Sequence, residues 1–584
     1  MSKSKHTDFI CLMITAVMVL LTGIYLYGAS TGIIPASVQT ISSGQLFSYE
    51  ELPVYEIDLE NTAGFNNGAC YEMDGNLYII SSGNYILSGN MEPDHQVVVA
   101  VSGGLIRLTL NGISIENTDV VPVEVKEAEL VNVHLVENTI NIVTASEIVA
   151  DENEEGSVCA AIYSKASLEI DGSGTLMVSS SQNGIQTKKN LTVKDGNIQI
   201  TTGEGASQVI PADTVSEKMP GMRSETDSVN RPEMPEELPE EMPEGGMSRG
   251  RMSEEPMDLD RQGQKGDFNR QDMPGQSGTE KSREGFKGNR PMDMEQGSNA
   301  EEDPSQTKKK GFKAGKDIVI EGGTITFNCE NDAIHGDENV TILSGTVEIA
   351  AGDDAIHADG DVTLENGTIL ITASYEGIEG KQIIVNGGEI SLISSDDGFN
   401  ASDGSSSGFG FGKVTTEGEL PLLEINGGII SVNASGDGLD SNGDLVIHGG
   451  TVYIDGPTNS GNGALDSGSE SGGDCYITGG TVLALGASGM AECFSENSSQ
   501  VFLDAALDFQ YESGDALVIT DALGNEVFQY EVKKSGNSVI FSSELLKNGE
   551  TYTITVGGNC TESTAGLESS LQGGFSGRFG RGDK

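Results

Sequence analysis

Acidic residues recur at fixed places in the second half of this chain, each just ahead of a lone apolar residue. Asp332 stands in Asn-Asp-Ala-Ile-His, Asp353 and Asp354 in Gly-Asp-Asp-Ala-Ile-His, and Glu376 in Tyr-Glu-Gly-Ile-Glu. Asp396 and Asp397 follow in Ser-Asp-Asp-Gly-Phe-Asn and Asp437 in Gly-Asp-Gly-Leu-Asp. Three residues after the acid comes a second set: His335, His357, Glu379, Asn400 and Asp440. On strands stacked about 4.8 Å apart, two such carboxylates repel by about 3 kcal/mol at an effective dielectric of about 20. Several in a row call for a counterion. Calcium suits them, because it accepts carboxylates, amides, carbonyls and water together in flexible geometry. The expected ligands are Asp332, Asp353, Asp354, Glu376, Asp396, Asp397, Asp437 and Asp440. The competing reading is solvated turn aspartates, since Asp-Gly fits a tight turn; doubled acids in successive copies weigh against it. His335 and His357 are expected to hydrogen-bond a neighbouring acid.

The elements that position these residues come from a repeat of about 22 residues between Asp317 and Phe494. Its copies read as alternating apolar residues, a Gly-Gly-Thr-like turn, a second alternating run and Asp-Gly before one more apolar residue, as in Ile318-Val-Ile-Glu-Gly-Gly323-Thr and Val446-Ile-His-Gly-Gly450-Thr. Short alternating runs punctuated by glycine at such a period predict a solenoid. The expected fold is all-β, a right-handed parallel β-helix with about three short strands per rung. Each rung would bury a pair, a second pair and a singleton, such as Val340/Ile342, Val347/Ile349 and Ile356. The singletons Ile334, Ile356, Ile378, Phe399, Leu439 and Leu465 should stack in one inward column. No rung could bury its apolar set alone.

The same spacing predicts β-helix rungs over 166–204 and 312–494, with an irregular N-terminal β region and opening rungs over 50–165. Between Gly205 and Gly311 the pattern yields to Met, Pro, Glu, Arg, Gln, Gly and Ser. That composition leaves too little apolar surface to offset chain entropy, so 205–311 is expected to be a disordered insert within one rung. A smaller insert, Ser405 to Pro421, lengthens a later turn. Residues 495–560 read as a small C-terminal β cap with a hairpin cue at Gly524-Asn525, and 561–584 as a flexible tail.

At the N-terminus, Phe9 to Tyr27 is an uncharged, mostly apolar run preceded by Lys3 and Lys5. It predicts a membrane-spanning anchor with the body of the chain outside. Gly28-Ala29-Ser30 offers a cleavage site if residues 1–30 act as a signal peptide instead, in which case the protein is secreted. The formal net charge of −57, from 90 acidic and 33 basic residues, excludes nucleic acid as a natural partner. The cysteines are scattered without CxxC spacing, which argues against a cysteine zinc site.

Gly83-Asn-Tyr85-Ile-Leu-Ser-Gly89, Leu108-Thr-Leu-Asn-Gly112, Ala161-Ile-Tyr163-Ser-Lys165 and the Asp-Gly rungs resemble the carbohydrate-binding parallel β-helix proteins of anaerobic Gram-positive bacteria, which look like polysaccharide lyases in fold. The resemblance covers roughly Gly83 to Met490 apart from the long insert. It implies a surface or secreted protein that binds calcium and an acidic, pectin-like polysaccharide. His335, His357, Tyr375, Glu379, Lys381 and Asn400 would then be the residues that meet the glycan. Cellulose is the less natural ligand, because flat sugar faces are recognised by exposed aromatics and the chain has no tryptophan.

Two other functions stand beside this one. A pectin-type lyase needs an arginine or lysine base beside a neutralised uronate. Between Glu301 and Gln500 there is no arginine, and on regular rungs only Lys316 and Lys381. Gly352-Asp-Asp354 has the paired acids of a glycosidase without the Gly-His-Gly and Arg-Ile-Lys motifs of polygalacturonases. The third reading is a structural adhesin or spacer, with the tail motif Arg581-Gly-Asp583.

Overall fold

A computed structural model describes residues 49–147, 159–206, 308–403, 420–469 and 472–571. The expected N-terminal anchor, almost all of the expected disordered insert and the Gly408–Gly412 tract lie outside these residues, as does the tail from 572 onward. Among the described residues no helix is long and apolar enough to cross a membrane.

The described chain is all-β, and its long sheets are dominated by parallel pairing. The order is solenoid-like: each strand of the repeat pairs in parallel with the strand one rung on. Val340–Ile342 lies between Ile318–Ile320 and Asp361–Leu364. Thr346–Ala351 lies between Thr324–Cys329 and Thr368–Ala373. Ile356–Ala358 lies between Ile334–Gly336 and Ile378–Gly380. A rung is therefore three strands, and alternation along each strand sends every second side chain inward. The singletons stack as the repeat predicts. Ile334, Ile356, Ile378, Phe399, Leu439 and Leu465 are register partners in sequence and fully buried.

The turn between the first two strands is fixed by glycine. Gly323, Gly345, Gly367 and Gly388 have φ of 90°, 107°, 113° and 94°, in the region where a β-carbon clashes. A Cβ on Gly345 would also come to 3.0 Å from the carbonyl oxygen of Gly323 one rung back.

The rung opened by Leu191–Val193 and Asn197–Thr202 receives its third strand from Phe312–Ala314, which pairs with Asn183–Thr187 before it and Ile334–Gly336 after it. The chain between thus leaves and returns within one rung. The sheet of third strands runs back to the antiparallel pair Cys70–Met73 and Asn76–Ile79.

At the other end, Thr481–Gly486 is covered by the antiparallel strand Gly536–Ser542, which also pairs with Phe502–Tyr511. A four-stranded sheet, Glu526–Glu531, Ala516–Thr520, Thr551–Val556 and Asn559–Thr564, adds its own apolar core around Leu517, Ile519 and Ile554. Its first two strands form the hairpin across Gly524-Asn525. This segment closes an edge that would otherwise offer unpaired backbone groups. The six described cysteines are all free, and only Cys560 is exposed.

Candidate functional site

The third strand of each rung in the repeat is three residues long, with its first and third residues buried and its middle residue on the other face, where His335 is itself largely covered. The middle residues form a single register column: Gln186, Lys313, His335, His357, Glu379, Asn400, Asp440 and Asp466. Two residues ahead of the inward apolar residue of each strand (Ile185, Phe312, Ile334 and those that follow) runs a second column, locked by backbone bonds between rungs such as Ala333 N to Asp354 O, Ala355 N to Glu376 O and Gly377 N to Asp397 O. It reads Asn183, Lys310, Asp332, Asp354, Glu376, Asp397 and Asp437. Along both columns, charge changes from basic to acidic in the direction of the chain.

The first part of the site supplies its own cations. Lys310 Nζ lies 2.5 Å from Asp332 Oδ2, and both side chains are almost fully buried. His335 Nδ1 is 2.7 Å from the same carboxylate and 2.9 Å from Lys310 Nζ. Burial alone would raise the Asp332 carboxyl, but the His335 hydrogen bond and the Lys310 charge hold it well below the usual carboxylate range. One rung on, His357 Nδ1 meets Asp354 at 2.9 Å and Glu379 at 2.7 Å. Burial disfavours its charge, yet hydrogen bonds to Asp354, Asp359 and Glu379 push the imidazole up to about 12. Asp354 is raised by burial and by the charges of Asp332 and Glu379. The rings of His335 and His357 stack with centroids 4.5 Å apart. Asp353 accepts from Asn331 Nδ2 at 3.0 Å.

The second part has acids without such partners. Among the described residues, Glu376, Asp397, Asp437 and Asp440 form no ion pair with lysine, arginine or histidine. Glu376 accepts from Asn400 Nδ2 at 2.9 Å. Asp397 accepts from the backbone N–H of Asp437 at 2.6 Å, and Asp437 from that of Gly463 at 2.5 Å. Burial, reinforced by neighbouring carboxylates, pushes Glu376 up to about 9, Asp397 to about 6, Asp437 to about 7 and Asp440 to about 8. Asn400 Oδ1 is buried, with no hydrogen-bond donor among the described residues. A buried amide oxygen lacking a donor, set among carboxyls that resist ionisation, fits the oxygen-rich coordination of a hard divalent cation.

Of the expected metal ligands, Asp332, Asp353 and Asp354 come together closely enough for one ion to reach all of them. Asp396, Asp397, Asp437 and Asp440 follow the same face without such a close triple among the described residues. Asp396 is tied to the hydroxyl of Tyr375, whose phenol is raised first by that hydrogen bond. Tyr375 is largely exposed. Lys381 lies in the turn after Ile378–Gly380, its backbone N–H bonded to Gly360 O. Among the outward tyrosines, Tyr453 packs against Phe528 and Tyr530 of the C-terminal segment.

The count of ladder lysines needs correction. Lys310 and Lys313 also belong to the rungs, at the border of the insert, and Lys313 pairs with Asp337. Aligning Gly311-Phe312 with Ala333-Ile334 would have revealed both. Sequence reasoning also passed over Asp337, Asp359 and Asp466. Asp466 sits where Asp440 sits one rung earlier, a position the Leu465 singleton already marked.

A family of carbohydrate-binding domain-containing proteins matches residues 73–230, 282–355 and 353–483, more than half of the chain. The chain belongs to this family. A carbohydrate-binding domain-containing protein of Acetivibrio thermocellus is 33% identical over 125 residues, which are 21% of this chain and 43% of that relative. The chain thus spans less than half the length of the relative it matches. The solved polysaccharide lyase-like protein from C. thermocellum, a gadolinium derivative, aligns with 73% of this chain and 96% of its own at 15% identity. Its TM-score of 0.30 is too low to carry an argument.

Proposed function

We propose that this protein is an extracellular carbohydrate-binding protein built on a right-handed parallel β-helix, which takes an acidic, pectin-like polysaccharide through calcium. One observation carries the reading: Glu376, Asp397, Asp437 and Asp440 share one face in rung-by-rung order, raised by burial and mutual repulsion and without a basic partner among the described residues. The donorless Asn400 Oδ1 belongs to the same set. These oxygens would hold the ion; when bound, calcium supplies positive charge that reverses the local field towards a sugar carboxylate. The residues themselves orient the ion and, through the in-register pairing of successive rungs, set the spacing of successive contacts. Asp332 is the least suited of the expected ligands, because Lys310 and His335 already neutralise it.

The apolar run Phe9–Tyr27 supports placement at the outer face of the cell membrane, or secretion if the segment is removed. Calorimetric titration of the metal-free chain with calcium, followed by retention on polygalacturonate, tests the reading. Calcium uptake with calcium-dependent retention supports it, and retention of no glycan favours the adhesin.

A second reading, a pectin-type lyase, is favoured by Lys313. It stands in the outward column, and burial lowers its basicity despite the Asp337 pairing that opposes the shift. An amine made less basic in this way, once released from Asp337, could take a proton next to a uronate carboxylate. Release of unsaturated oligosaccharides from polygalacturonate, abolished by Lys313→Met, is the outcome that would favour it.

A further inference from the structure

We propose that Lys165, Lys188 and Lys189 form a second, calcium-free contact for an acidic polysaccharide, at the opposite end of the face whose acids are assigned to calcium. The proposal rests on the glycan reading and adds to it the direct partner of the polymer's own charge.

The three lysines belong to the corner that follows the third strand. Lys165 comes two residues after Tyr163 and Lys188 two after Gln186, and Tyr163 and Gln186 are register partners. Lys165 N bonds Val125 O, Lys188 N bonds Ser164 O, Gly315 N bonds Thr187 O and Asp337 N bonds Ala314 O. These bonds set Lys165, Lys188, Gly315 and Asp337 in one column with successive backbones about 4.8 Å apart, and Lys189 flanks Lys188. All three lysines are exposed. Among the described residues none of them has an acidic partner, whereas Lys126, Lys194, Lys309, Lys313 and Lys316 around them are each paired. Like charges on neighbouring rungs repel, and an anion with a matching repeat relieves them. A chain of formal net charge −57 needs no added lysines to stay soluble, so their gathering at one corner asks for another cause.

Alternation along the strand puts the corner on the same face as the outward column. From Gln186 that column runs through Lys313, His335 and His357 to Glu379, four steps of about 4.8 Å, or about 19 Å. The rungs between neutralise themselves. Lys310 and His335 serve Asp332, Lys313 serves Asp337, and His357 serves Asp354 and Glu379. The face therefore has free cations at one end, a compensated middle, and acids without basic partners at the other. A polyanion laid along it meets ammonium groups directly at the first end and reaches the acids only through ions. Exposed charge contacts are individually weak and screened by salt, so the lysines strengthen a retention that the ions make possible and do not replace them.

The test compares affinity for polygalacturonate in calcium, calcium uptake by calorimetry and melting temperature for the full chain and two triple variants. Lys165→Gln, Lys188→Gln, Lys189→Gln should bind the polymer about three- to tenfold more weakly, with calcium uptake and melting temperature unchanged. Lys165→Arg, Lys188→Arg, Lys189→Arg keeps the charges and should bind as the parent does. Equal affinity of the parent and the glutamine variant would overturn the proposal while leaving the calcium reading intact. So would an equal loss in the arginine variant, or a loss of calcium uptake alongside the loss of polymer. A parent that takes no polygalacturonate in calcium would overturn both.

Discussion

Lys310 occupies, one rung earlier, the place in the turn that Asp332 occupies, and its ammonium lies 2.5 Å from the Asp332 carboxylate. Both are nearly sealed from water, so neither charge has a substitute partner in solvent. Removing Lys310 leaves the buried Asp332 carboxylate with His335 as its remaining partner, and breaking a buried pair costs up to about 3–5 kcal/mol. Lys310→Met should therefore destabilise the folded chain by about that amount in urea unfolding. Adding Asp332→Asn should recover much of the loss.

The acids without a basic partner give the ion-free protein a distinctive pH response. Glu376, Asp397, Asp437 and Asp440 are raised in the folded chain, so folding takes up protons. Their contribution to stability is complete below the ordinary carboxylate range near pH 4 and is lost as pH rises through about 6, 7, 8 and 9. His357, pushed up to about 12, acts with the same sign above its ordinary value. Asp332, Asp337 and Glu379 are lowered and act with the opposite sign, but only at acid pH. In chelator, the melting temperature should fall between about pH 5 and pH 9, and calcium should flatten that fall. A level profile in chelator would contradict the assignment.

Asp440→Asn separates a binding role from a structural one. It removes a carboxyl strained first by burial and then by Asp397 and Asp466. The metal-free variant should be at least as stable as the parent, while its calcium uptake falls. A simple turn aspartate would show no change in uptake.

The rung turn makes a prediction of its own. Gly367 has φ 113°, and a Cβ there would come to 2.9 Å from Gly345 O. Gly367→Ala should cost more than about 1 kcal/mol, read from thermal or urea unfolding. An alanine tolerated without loss would mean that the turn relaxes.

The rungs were legible because one singleton such as Ile356 and one turn glycine such as Gly345 recur at a near-constant interval, and stacking preserves that interval in space. The acid column was legible for the same reason. Lys310 was not, since more than a hundred residues separate Thr202 from its rung's third strand at Phe312, and the period is lost across them. The pairing of His357 with Glu379 was also hidden, because the spacing places both on one column but does not say which carboxylate each ring nitrogen meets. At the C-terminal end the hairpin cue at Gly524-Asn525 was local. The return of Gly536–Ser542 onto Thr481–Gly486 is a long-range antiparallel contact with no short-range signal.

The most direct test of the central claim is retention of the purified chain on immobilised polygalacturonate, with calcium and then with chelator, for the parent and for the Asp397→Asn, Asp440→Asn double variant. Retention by the parent in calcium alone, lost in chelator and strongly reduced in the variant, is the predicted result. Equal retention with and without calcium, or equal retention by parent and variant, would contradict it.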